Sequence, residues 1–508
     1  MKPSTELFDL IKSLSKSEKR FFKLTSSLQS GDKNYLKIFD YIEKQKDYDE
    51  ERLKNHFKKD TFINHLPSEK NHLYKLILKS LRSYYSEQDI NSIIKQEIKN
   101  VEILHKKALY KECKKFIKRA KKLARDYEKF YYLFELVSWQ KKLLEEEYES
   151  GNFDEDLDAL IEEESQIIEK LRNLAEYQIL YSKINYVFRS GGFIQNEKDK
   201  ATVDAIANYH LIIGKNTALS DRAATICYYI KGLCAVTYRE YQESYIYFNK
   251  VRSILDRNPN IKSDTSKRYL MALTHLLSSY IDNKEYQKAE ETIQDIRNLS
   301  KEKGFNNMDV KVSIFTSAFI AELTMHNRKG EFGKTLQIMD KNAAMEEELK
   351  DIINKEKEIN IYFNKAYAYF GVGEYKKALS IVNIMINDNE QMLRQDLYSF
   401  SRVLNIMIHF ELENYDFLEY VTKSTSRYLG KQDKDFTIET VFVKMISKIM
   451  KKGEENKNEI LALLKKEMEE LFQNKKERII LDYIDIESWV ESKLNDENFA
   501  DTVKRKNA

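Results

Sequence analysis

The residues whose types and spacing could do chemistry are few. The tightest histidine group is His65, Glu69 and His72. On one continuous helix these would share a face, as zinc ligands do. Pro67 lies between His65 and the other two, and proline suits the first turn of a helix, so the helix should start after His65. Exposed polar residues near a helix start are then the expected reading. Cys227 and Cys234 are seven apart and fall on one side of a helix. No CxxC accompanies them, and buried packing cysteines are expected. No Ser-His-Asp set, P-loop or GxGxxG can be placed, and Gly371-Val372-Gly373 reads as a turn. The runs Glu145–Glu147 and Glu162–Glu164 read as solvated faces, because a paired-carboxylate site needs burial to shift a pKa. No catalytic, cofactor-binding or metal-ligating residue is assigned, no cofactor is implied, and a non-enzyme is expected.

One charged segment invites a comparison. Lys114, Lys115, Lys118, Arg119, Lys121, Lys122 and Arg125 alternate with Phe116, Ile117, Ala120, Leu123 and Ala124. The residues Lys114, Lys115, Lys118, Arg119 and Lys122 would make a basic patch for phosphate or an acidic partner. The simpler reading is the wet face of an amphipathic helix. Together with Lys16, Lys19, Arg20 and Lys23, the segment keeps nucleic acid as an alternative partner.

Composition sets the frame for these residues. Only 3 of 508 residues are proline, and 33% are charged. Proline costs about 3 kcal/mol inside a helix, so its scarcity speaks for helices nearly throughout. The 85 basic and 82 acidic residues leave a net charge of +3, which does not favour a general nucleic-acid or membrane-surface binder. Three cysteines do not build a disulfide framework. No stretch reaches the roughly 18 apolar residues of a membrane span, and residues 1–22 do not read as a signal peptide. A cytoplasmic protein is expected. Heavy use of Lys, Ile, Asn and Tyr fits an AT-rich genome and hints at a bacterial source.

The strongest pattern is a recurring aromatic. Tyr110, Phe153, Phe193, Tyr241, Tyr286, Phe332, Tyr375 and Tyr415 follow at intervals of 43, 40, 48, 45, 46, 43 and 40 residues. Glycine stands two positions earlier at Gly151, Gly191, Gly330 and Gly373, in a chain with only 13 glycines. A fixed period of this kind marks stacked helical hairpins. The unit is clearest at Tyr362, Ala366 and Tyr369 on a first helix, Gly373-Glu374-Tyr375 at the turn, and Ala378, Val382 and Met385 on a second. The sequence resembles the tetratricopeptide repeat, matching its order of bulky, small, aromatic, Gly-x-aromatic turn, Ala and bulky residues, with Met385 where a small residue is usual. Tyr228, Gly232, Tyr241, Ser244 and Phe248 match in part, as do Leu273, Tyr280, Tyr286, Ala289 and Ile293. The family unit is 34 residues, whereas the mean spacing here is about 44, so helices or linkers must be longer.

The resemblance implies an all-α, right-handed α-solenoid of about eight or nine tetratricopeptide-like hairpins. The expected organisation is an N-terminal helical head at 1–90, the repeats at 91–470, and a capping helix with a flexible tail at 471–508. Within the head, Ser15 and Glu18 read as a capping box, and Gly31-Asp32 as a break. Loops are expected at Asn258-Pro259-Asn260, Gly304 to Asn307, Asn387 to Asn389 and Gly430 to Asp433, and another break at Gly453. Such arrays act as scaffolds that bind a protein or peptide in a concave groove. The matching groove positions are Tyr229, Leu233, Phe363, Tyr367 and Phe370. The alternative is a ligand- or peptide-controlled regulator whose head binds nucleic acid or a signalling protein.

Overall fold

The computed structural model describes residues 4–27, 33–149, 151, 157–191, 193–194, 196–389, 393–431, 437–452 and 456–507. Every regular element among the described residues is helical, and none is a strand. No helix among them is long and apolar enough to cross a membrane. The chain divides into two compact units, residues 1–161 and 162–508. Phe153, Gly31-Asp32 and Gly453 lie outside the described residues.

The first unit contains α1 (Glu6–Ser13), α2 (Lys16–Ser27), α3 (Asn34–Lys44), α4 (Glu50–His56), α5 (Leu66–Tyr84), α6 (Ile90–Lys106), α7 (Tyr110–Asp126) and α8 (Phe130–Glu149). The capping box forms as read from the sequence. Ser15 N donates to Glu18 Oε2 at 2.6 Å, and Glu18 N donates to Ser15 Oγ at 3.3 Å. Helices α1–α5 close a core of their own around Ile11, Phe22, Ile38, Phe39, Leu73 and Ile77. Pro67 sits in the first turn of α5 and His65 caps it from outside, so His65 does not join Glu69 and His72 on the helix.

The second unit contains α9 (Leu157–Gly191) from residue 162 onward, α10 (Glu197–Ala207), α11 (His210–Ile213), α12 (Asp221–Thr237), α13 (Tyr241–Arg257), α14 (Pro259–Asp264), α15 (Ser266–Asp282), α16 (Tyr286–Asn298), α17 (Met308–Arg328) and α18 (Phe332–Leu349). It continues with α19 (Lys355–Gly371), α20 (Tyr375–Ile386), α21 (Gln395–Glu411), α22 (Tyr415–Leu429), α23 (Ile438–Lys452), α24 (Lys457–Leu471), α25 (Ile486–Asn495) and α26 (Phe499–Asn507). From α12 to α24 each main helix packs on its successor, and alternate helices α13, α15, α17, α19, α21 and α23 also pack in series. Sequential packing of helix pairs is what a helical repeat requires.

The recurring aromatic has a structural meaning. Tyr110, Tyr241, Tyr286, Phe332, Tyr375 and Tyr415 are each the first residue of a helix. Two positions earlier, Ala108, Arg239, Lys284, Gly330, Gly373 and Glu413 all have positive φ, between 56° and 82°. The amide after each donates five residues back, as in Glu240 to Ala235 O and Glu374 to Tyr369 O at 2.8 and 2.9 Å. This is the Schellman end of one helix leading directly into the next. The sequence reading tied the turn to glycine, but the backbone holds it with Ala, Arg, Lys or Glu as well. A further such turn lies at Glu128 before Phe130. Phe193 begins no helix: α9 runs on to Gly191, and α10 begins at Glu197.

Other expectations changed. Asn258-Pro259-Asn260 leads directly into the short helix α14 instead of a plain loop, because Pro259 fits its first turn. Gly304 to Asn307 is a loop, with Asn307 capping α17 through a 2.9 Å bond from Val310 N. Gly430 closes α22, while Gln432 and Asp433 lie outside the described residues. Residues 492–508 fall in the tail expected to be flexible, yet 492–507 hold the end of α25, a short turn and the whole of α26. Buried Val503 and the stack of Phe499 on Phe332 at 5.8 Å hold them down.

A non-glycine residue at positive φ carries about 1–2 kcal/mol of strain. Ala108 is exposed, so Ala108→Gly should relieve that strain without losing a contact. The net gain should be about 0.5–1 kcal/mol after glycine's entropic cost. Urea unfolding of the variant and wild type will check the sign.

Candidate functional site

The second unit contains a cavity of about 430 Å³. Much of its wall is formed by single faces of three alternate helices, read at helical spacing. Helix α15 contributes Lys267, Met271, Thr274 and Ser278; α17 contributes Asp309, Ser313, Ser317 and Thr324; α19 contributes Asn354, Lys357, Asn360 and Asn364. These faces run for about 15 to 23 Å at 1.5 Å per residue. The polar side chains are tied locally. Ser313 and Ser278 donate to the carbonyls of Asp309 and Thr274 at 2.9 and 3.1 Å, one turn earlier. Thr274 Oγ1 reaches Ser317 Oγ at 3.1 Å, and Thr324 Oγ1 reaches Asn364 Oδ1 at 3.2 Å, linking the three walls.

One end of the cavity is closed by a charge network around Asp482. Its carboxylate pairs with Arg239 at the α12–α13 turn. Arg328, at the end of α17, donates Nε to the Asp482 carbonyl at 3.0 Å and Nη1 to Asp282 at 2.5 Å. Burial pushes the Asp282 carboxyl upward, and Arg328 only partly reverses it. Next in sequence, the Tyr483 hydroxyl accepts from Arg394 Nη2 at 3.0 Å. Arg394 grips Asp396 through two bonds of 2.9 and 2.6 Å. Burial works against the Arg394 charge, but Asp396 and Tyr483 overcome it and raise its pKa.

The other end is lined by the first turn of α19. Arg189 lies 3.8 Å from Glu356, and Lys267 pairs with Asp309. Lys357 makes no side-chain hydrogen bond or ion pair among the described residues. It opens to the cavity with protein around it. Burial lowers its pKa, Glu356 raises it in part, and Arg394 and Arg189 lower it further. His275 is stacked on Phe248 at 4.4 Å and bonds the Tyr229 hydroxyl at 3.0 Å. Burial and the Lys357 charge bring its pKa down to about 3, so it is neutral near pH 7.

The five groove residues read from the sequence are all buried. Tyr229, Phe363 and Tyr367 line the cavity, whereas Leu233 and Phe370 do not. The chain's own residues 482–499 take up part of this aromatic surface. Phe363 faces Tyr483 at 6.1 Å, the Tyr367 hydroxyl accepts from Asp485 N at 3.0 Å, and Phe370 packs on Phe499 at 5.4 Å. The Ser, Thr and Asn rows were missed, because alternate polar residues on a helix look like a solvated face. Their one visible signal is polar residues recurring every three or four positions, as at Asp309, Ser313, Ser317 and Thr324.

The five patch residues lie on α7. Lys115, Lys118, Arg119 and Lys122 are exposed and Lys114 is half-buried. Arg119 is bound to Glu97 at 2.6 Å, while Lys121, on the same helix, is buried and donates to Gln140 at 2.7 Å. In the head, Lys23 pairs with Asp40 and Glu43 at 2.8 Å, and Lys19 lies 3.5 Å from Glu43. The three cysteines are buried, and burial raises the thiol pKa of each. No protein-family model matches the chain, and no curated protein matches it.

Two predictions follow from the network and the histidine. Asp482→Ala removes the shared partner of Arg239 and Arg328, and stranding a buried charge costs about 3–5 kcal/mol. Asp482→Asn should cost less, with both variants compared by denaturant unfolding. A histidine whose native pKa lies below the unfolded value of about 6.5 contributes its full stability above that pH. That contribution is lost as pH falls from there toward about 3. Unfolding free energies between pH 7 and 4 should therefore fall more steeply for wild type than for His275→Gln.

Proposed function

We propose that this protein is a non-enzymatic scaffold or adaptor of the tetratricopeptide-like solenoid type, with a cavity that receives a short extended peptide or the end of a protein partner. The observation that carries this reading is the cavity with its rows of Ser, Thr and Asn, in which Lys357 alone of the charged side chains makes no side-chain hydrogen bond or ion pair among the described residues. Hydroxyls and amides along its walls suit the alternating donors and acceptors of an extended backbone. A length of about 20 Å sets a ceiling of about six extended residues. The Ser and Thr hydroxyls named above bond carbonyls, one another and Asn364 Oδ1, which favours binding over nucleophilic catalysis by a serine or threonine. Pre-ordered helices would lose little entropy on binding.

A second reading, a ligand-controlled regulator, is favoured by one observation: helices α1–α5 form a core of their own. Two of the head's cations, Lys19 and Lys23, are already committed to carboxylates, which weakens the nucleic-acid version of this reading.

Equilibrium dialysis against a random hexapeptide library, read by mass spectrometry, tests the proposal. Wild type should retain a restricted set of peptides. Lys357→Gln and Ser317→Leu should each lose most of that set while remaining folded by circular dichroism. Equal retention by all three proteins would place binding elsewhere.

A further inference from the structure

Helix α9 is apolar on two faces. One face is buried through Ile167, Leu174, Tyr177, Ile184 and Val187. The other leaves Ile161 53%, Ile168 48%, Ile179 57% and Tyr186 77% exposed. These four are spaced by 7, 11 and 7 residues, so they form one straight stripe at the helical period. Between Ile168 and Ile179 the same line carries Arg172, which is turned along the helix to Glu176 at 3.2 Å, so the surface is two exposed apolar pairs about a charged centre. Exposed apolar side chains aligned in this way mark an interaction surface.

The stripe reads the same in both directions. Ile161 and Tyr186 are equidistant from the midpoint between Asn173 and Leu174, and so are Ile168 and Ile179. Glu164 and Lys183 share that midpoint. The charges are unequal across it. Residues 157–173 hold five carboxylates and two cations, whereas residues 174–191 hold one carboxylate and two cations. An antiparallel copy of the same helix would therefore set the acidic half against the basic half. It would also place Ile168 against Ile179, and Ile161 against Tyr186, twice each. Such self-complementarity is the property of a two-fold interface.

We propose that this protein forms a two-fold homodimer through the Ile161–Tyr186 stripe of α9, packed antiparallel on the same stripe of a second copy. The hydrophobic pairs supply the attraction. The unequal charge of the two halves fixes the direction, since a parallel arrangement would set the acidic half against another acidic half.

Sedimentation equilibrium of the full chain at micromolar concentration should give a dimer. Ile168→Asp with Ile179→Asp should raise its dissociation constant about a hundredfold or more, leaving far-ultraviolet circular dichroism unchanged. Disulfide trapping reads the register independently of stability. Ile168→Cys with Ile179→Cys in one chain should cross-link under mild oxidation. Neither cysteine alone should do so, because like positions lie about 16 Å apart along the helix. The buried native cysteines do not compete. A wild-type monomer throughout the concentration range overturns the proposal. So does a dimer that survives the double aspartate change, or one in which single cysteines cross-link and the pair does not.

Discussion

The second unit depends on one side chain reaching far along the sequence. Asp482 meets Arg239, 243 positions earlier, and its carbonyl meets Arg328, 154 positions earlier. Both arginines lie at helix ends, beside Asp282 at the end of α15. Asp482, through its carboxylate and its carbonyl, thus ties the ends of α12 and α17 together, with Asp282 of α15 joined through Arg328. A helical array normally rests on neighbour-to-neighbour contacts, and its parts open nearly independently. Here the segment around α25 and α26 adds contacts across that order. Trp489 donates to Glu411 at 2.6 Å, and Lys493 pairs with the same carboxylate at 2.7 Å. Opening an early helix pair therefore exposes charges that a distant segment was neutralising, which couples the ends of the unit.

Much of the helical layout was legible because its punctuation is local. A Schellman end needs one residue at positive φ, and an aromatic opens the next helix wherever that turn recurs. Glycine was the visible half of this rule. At Ala108, Arg239, Lys284 and Glu413 the same conformation is imposed by bonds to the preceding turn, and no residue type reports it. A better marker was present: glutamate precedes the aromatic at Glu240, Glu285, Glu331 and Glu374. An acidic residue there faces the positive end of the following helix. Phe193 kept the period but lost the turn, because spacing alone carries no backbone instruction.

The cavity was much less legible. Sequence reading placed a groove on large aromatics, and three of them, Tyr229, Phe363 and Tyr367, line the cavity. A third of the lining residues, however, are Ser, Thr or Asn. Serine at helical spacing looks the same whether it faces water or a shared interior, and only the stacking of α15, α17 and α19 decides. Residues 477–499 were hidden for the same reason. The sequence allows an end cap, but nothing local says that Asp482 will turn back toward Arg239.

That return has a consequence for synthesis. The hairpin of α12 and α13 leaves the ribosome with Arg239 bare, and its counter-charge emerges only after some 243 more residues. Every helix of the cavity wall must wait in an incomplete state during that interval. Nascent chains released early, or truncated ahead of position 482, would carry assembled helices around an unsealed hollow in which Arg239 lacks the Asp482 carboxylate and Arg328 keeps only Asp282.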